Sequence, residues 1–162
     1  MRAKYYIPIL LFFPVLVIQI TVIPLIAING IIPDLIIILL VFYTMRNNQI
    51  YGTVLGFIFG FLFDLLTGTL LGSSMLAKTT SGFIAGYFSN ENKRENYFKS
   101  YNFALIVLLC SVLNSVIISF FSSVDVNTNL VAMIFQLGLL PGFYTSIISL
   151  IIIIFYPRRS FS

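Results

Sequence analysis

Three ionisable side chains lie inside or at the edge of long apolar runs: Asp34, Asp64 and Lys78. A carboxylate beside a lysine can serve as an acid–base pair, activate an amine nucleophile, pass a proton, or simply neutralise itself. The rest of the chain narrows that choice. It has no histidine, the commonest general base and metal ligand. It has no serine–base pattern and no metal-ligand spacing, so neither an enzyme nor a cofactor is expected. A proton relay would need further acids in line across the bilayer, and these are missing. Cys110, the single cysteine, sits in an apolar run, pairs with nothing in the chain, and reads as a small hydrophobe. An ionised group at the centre of a membrane helix costs roughly 2.5–3.5 kcal/mol on insertion scales. Two such groups in one hairpin are therefore expected to meet. The expectation is that Asp64 and Lys78 touch, with Asp34 nearby. The plain reading of that cluster is a structural staple; the sharper one is a staple that also shapes a surface for another molecule.

The elements that must position these charges are helices of a membrane bundle. Of the 162 residues, 59% are hydrophobic and 9% charged, and the mean hydropathy is +1.05. Apolar runs of about 20 residues, the length of a span, recur from end to end. Tyr51 to Tyr87 reads as two spans joined by a tight turn at Thr67 to Gly72. Gly52, Gly56, Gly60 and Asp64 stand four apart on the first helix, and Ser74, Lys78, Gly82 and Gly86 on the second. Small residues at that spacing let helix backbones approach closely in lipid. Around this hairpin the pattern places span one at Tyr5 to Ile28, with Pro14 and Pro24 bending or ending it. Span two starts near Pro33 and Asp34, where a proline and a carboxylate suit the first turn, and runs to Met45. Span five is Tyr101 to Phe121. Span six is Leu130 to Tyr156, kinked at Pro141-Gly142. The expected fold is one all-α domain over residues 1–162, an integral membrane bundle of about six transmembrane helices.

Charge then orients the bundle. Arg2, Lys4, Arg46, Lys93, Arg94, Lys99, Arg158 and Arg159 fall on the face shared by both termini, and the opposite loops carry no Lys or Arg. By the positive-inside bias that face is cytoplasmic, and so are both termini. The net charge of +4 reflects this topology and not a nucleic-acid footprint. With that orientation, Asp64 lies about 20 Å up span three and Lys78 about 8 Å below the outer end of span four, at 1.5 Å per residue. In a hydrocarbon core about 30 Å thick these depths nearly coincide, and Asp34 starts span two near the same level.

Pro33-Asp34 before an apolar span, the Gly56, Gly60 and Asp64 series, Leu71-Gly72, and the closing Gly82-Phe-Ile-Ala-Gly86-Tyr87 resemble the MreD family of bacterial rod shape-determining proteins. The pattern covers residues 17–90; from Tyr101 on, the similarity lies in hydropathy and in the Pro141 region. The resemblance implies a non-enzymatic, multi-pass subunit of the cell-elongation machinery in the inner membrane. Its implied partners are an MreC-like bitopic protein and, around it, MreB, RodA and a penicillin-binding protein. Pro33, Gly52, Gly56, Gly60, Gly72, Gly82 and Gly86 are then candidates for helix packing or for the partner interface. The family also resembles the substrate-binding subunits of vitamin transporters in fold. That alternative calls for a pocket at the outer end of the bundle, where the sequence offers few aromatic-plus-polar clusters and no tryptophan.

Overall fold

Prolines, glycines and a few side-chain caps cut this apolar chain into helices. The computed structural model describes residues 3–28, 30–89, 100–122 and 138–155. Among them are six α-helices and one 3-10 turn: α1 (Ala3–Thr21), η1 (Ile23–Ile26), α2 (Leu35–Arg46), α3 (Gln49–Thr67), α4 (Ser73–Gly86), α5 (Ser100–Ser122) and α6 (Leu140–Phe155). The expected Asn29 turn residue, most of the charged loop from Ser89 to Ser100, the loop holding Asp125, and the basic residues Arg2, Lys93, Arg94, Lys99, Arg158 and Arg159 lie outside the described residues.

The first expected span is shorter than the sequence suggested. Helix α1 continues through Pro8 and Pro14 but stops at Thr21. Pro24, which has no N–H to donate and restricts the residue before it, falls in η1 instead. The chain then reverses through Gly30, whose φ of +80° favours glycine, and Ile28 pairs with Ile31. Gln19 fastens this reversal. Its amide donates to the Pro33 carbonyl at 2.7 Å and accepts from the Leu35 N–H at 2.9 Å. A polar side chain in an apolar helix thus meets backbone groups that no helix satisfies.

Helix α2 is the hub, packing against every other described α-helix. Ile36, Ile37, Leu40 and Val41 are fully buried along it. They meet Phe12, Phe59, Phe103 and Val107 in one apolar core, where the Phe12 and Phe59 rings stack at 4.8 Å. Helices α3 and α4 form the closest pair, followed by α5 with α6. Asn48 caps α3 by accepting from the Tyr51 N–H, and Gly68 closes it in a left-handed conformation. Buried hydroxyls bind carbonyls across the other seams: Ser81 to Cys110, Ser111 to Gly142 and Ser146 to Ala104, at 3.0, 3.2 and 2.9 Å.

The all-helical expectation agrees with this architecture; the count of six full spans is coarser in fact. Among the described residues two helical stretches are long and apolar enough to cross a membrane, Gln49–Thr67 and Tyr101–Phe121, while Ile7–Thr21, Leu35–Arg46 and Leu140–Ile152 are apolar but shorter. Helix α2 has 12 residues and α4 has 14. At 1.5 Å per residue they reach about 18 and 21 Å, short of a core about 30 Å thick. Pro141 and Gly142 lie in the first turn of α6; residues 130–137 of the expected sixth span, the stretch before the expected kink, are outside the described set.

Candidate functional site

The start of α2 is where five helices meet. Asp34 precedes its first turn and uses both carboxylate oxygens. Oδ1 accepts from the Ile36 and Ile37 N–H groups at 3.0 and 3.2 Å, capping the helix. Oδ2 accepts from Lys78 Nζ at 2.9 Å and from Asn114 Nδ2 at 3.3 Å. The Asp34 N–H donates to Thr145 Oγ1 at 3.0 Å, and the Thr145 hydroxyl donates in turn to the Pro141 carbonyl. Lys78 reaches in from α4, Asn114 from α5 and Thr145 from α6, while Gln19 of α1 holds the residues on either side of Asp34. The carboxylate of this one residue therefore ties α2 to α4 and α5, its backbone N–H ties α2 to α6, and α1 is fastened beside it.

Burial makes this pair matter. Lys78 is 1% exposed and the Asp34 side chain 22%. The ammonium also lies 4.9 Å from the centre of the Phe63 ring, a second favourable contact for a desolvated cation. Asn114 is buried, and its Oδ1 has no hydrogen-bond partner.

The expected contact between Asp64 and Lys78 is corrected by this geometry: the ion pair is Lys78 with Asp34. Asp64 is buried but engaged elsewhere. It accepts from Thr69 Oγ1 at 2.9 Å, from the Gly72 N–H at 2.9 Å and from the Met75 N–H at 3.3 Å. A carboxylate at the end of α3 thus caps the start of α4, where the free N–H groups and the positive end of the helix dipole gather. Those donors satisfy it without a lysine, which leaves Lys78 free to turn towards α2.

The glycines divide by role. A Cβ at Gly56 would strike the Lys78 carbonyl, at Gly60 the Ser74 carbonyl and Met75 backbone, at Gly82 the Gly52 carbonyl, and at Gly86 the Gln49 backbone; at Gly52 it would strike the Thr44 side chain of α2. The stripe is closed by α4 and α2, so it is not an open groove for another molecule. Gly72 does not belong to it. Its φ is +105° with open space around it, and it starts α4 in a left-handed conformation. Pro33 is buried, with its carbonyl held by Gln19.

Sequence reasoning missed Asn114 and Thr145 as members of this cluster. Their signal was present: both are polar side chains in apolar helices, as Gln19 is. Among the described residues, no group of three or more His, Cys, Asp or Glu side chains is placed to hold a metal ion. A lateral groove of about 310 Å³ opens beside α2, lined by Leu11, Val15, Leu39, Phe42, Phe103 and Ile152 among others. Its apolar walls give no support to a vitamin site at the charged end.

Among the described residues, the apolar exterior, the hydroxyl-laced seams, one buried ion pair and two helices long enough to cross a bilayer fit the class of helical membrane proteins. The chain belongs to the MreD family: residues 1–159 match the family model described as rod shape-determining protein MreD. No curated protein and no solved structure gives a match. The family is a bacterial membrane family with a role in rod shape determination.

Proposed function

We propose that this chain is a non-enzymatic, multi-pass subunit of the machinery that elongates rod-shaped bacteria, and that it binds an MreC-like bitopic partner in the cell membrane. The observation that carries this reading is the match to the rod shape-determining family over nearly the whole chain. The site supports it. The buried charges are spent on holding helices together, with Lys78 paired to Asp34 and Asp64 capping α4. What remains for interaction is the outer apolar surface, since the glycine stripe is filled from within. Ile50, Val54, Phe57, Phe61 and Leu65 are exposed along one side of α3, and Leu10, Phe13 and Val17 along α1. A single-span partner packing on such a face would buffer neither charge nor catalysis; it would recruit MreB, RodA and a penicillin-binding protein by holding the assembly together. Both termini face the cytoplasm in this proposal, on the Lys/Arg asymmetry.

The test is purification of the tagged chain in mild detergent from the bacterium that encodes it, with identification of the proteins that accompany it. A bitopic protein with a coiled-coil stalk is expected. Recovery of an ATPase module with a bound vitamin, and no such bitopic protein, would overturn the reading.

A further inference from the structure

The lateral groove runs along α2 from Leu35 to Tyr43, between α1 on one side and α5 and α6 on the other. Eight residues at 1.5 Å each make it about 12 Å long. Its volume of about 310 Å³ is well under the roughly 1,000 Å³ that about 12 Å of helix would fill. A helix with its side chains is about 10–12 Å across and does not fit inside. An extended hydrocarbon chain does.

One end of the groove is basic. Arg46 closes α2 one turn beyond Tyr43, and its guanidinium lies 5.7 Å from the centre of the Phe42 ring, which lines the groove. Among the described residues Arg46 has no carboxylate partner. It is half-buried, so the aromatic ring holds it beside the groove and its donors remain available to an anion. Arg46 belongs to the Lys/Arg-bearing end of the bundle, the end that the charge asymmetry turns to the cytoplasm. Guanidinium groups recognise phosphate with paired donors, and basic sites at the inner surface select anionic lipid.

We propose that this groove holds one acyl chain of an anionic phospholipid from the cytoplasmic leaflet, with its phosphate on Arg46. The lipid fills the gap between α1 and α6 beside α2. The inference rests on the membrane reading above but not on the partner, so it is tested on the isolated chain.

The experiment is native mass spectrometry of the full chain from mixed micelles containing equal amounts of phosphatidylglycerol and phosphatidylcholine with identical acyl chains. One retained phosphatidylglycerol is expected, favoured about fivefold over phosphatidylcholine, the worth of one basic residue near a headgroup. Arg46→Gln should bring the two lipids to parity. Leu11→Trp, at the exposed rim of the groove, should lower retention of both. Equal retention by the unmodified chain, an unchanged preference in Arg46→Gln, or full retention in Leu11→Trp would each overturn the proposal. So would a photo-crosslinker at Leu11 that captures the span of a partner protein instead of lipid. Failure of the co-purification experiment with lipid selection intact would sink the partner reading alone.

Discussion

Removing either member of the Asp34–Lys78 pair should cost unequal amounts, and the inequality follows from their surroundings. Asp34→Asn keeps the helix cap, because asparagine caps as well as aspartate. It leaves the Lys78 ammonium 1% exposed with only the Phe63 ring for company. Breaking a buried pair this way costs about 3–5 kcal/mol. Lys78→Met leaves a carboxylate that still accepts from two N–H groups and from Asn114, and its side chain is 22% exposed. That loss should be smaller, roughly 1–3 kcal/mol. The double variant removes both charges and should regain about 2–3 kcal/mol relative to the sum of the singles. Denaturant unfolding in mild detergent, followed by far-UV circular dichroism, measures all three. The same cycle on Asp64→Asn with Lys78→Met should show little coupling. Coupling between positions 64 and 78 larger than that between 34 and 78 would refute the assignment of the pair.

Asp64→Ala strips the start of α4 of its acceptor for Gly72, Met75 and Thr69, and should cost roughly 2 kcal/mol in the same unfolding assay; Asp64→Asn, which keeps one carbonyl oxygen, should cost about half as much. Gly56→Leu drives a side chain into the α4 backbone at Lys78, and should destabilise by about 3 kcal/mol or more, seen as loss of monodisperse protein in size-exclusion chromatography; a folded variant that loses only its partner would place the partner in the stripe after all. With Cys110→Ser as background, an impermeant thiol reagent on intact cells should label a cysteine at Asn127 and not one at Ser100, and the reverse pattern would invert the topology.

The sequence was most legible where local chemistry decides the outcome. Four-residue spacing of glycines announced the α3–α4 hairpin, and the Pro33-Asp34 step announced the start of α2; both helices lie within two residues of the expected limits. Turn glycines were harder. Gly72 resembles the packing glycines in sequence, but it holds the left-handed position that starts α4. The true charge pair is hidden because a sequence gives depth along a helix but not the helix's rotation in the bundle. Asp64 and Lys78 share a level, but the backbone donors of the turn claim Asp64 first. Asn114 and Thr145 come from helices 80 and 111 residues beyond Asp34, and no local pattern announces contacts at that range. The break after α1 was legible in Pro24, which falls in η1 just beyond the helix, whereas Pro14, equally expected to bend or end it, stays inside α1.

The central claim is that this chain acts in maintaining rod shape, and the most direct measurement is cell shape after its depletion. In the rod-shaped bacterium that encodes it, with no second copy of the family present, depletion should turn rods into widened and then rounded cells within a few generations. Re-expression of the chain should restore them, and a folded Asp34→Asn, Lys78→Met double variant should restore them too if the pair is a staple. Rods that keep normal width and growth throughout depletion would contradict the account.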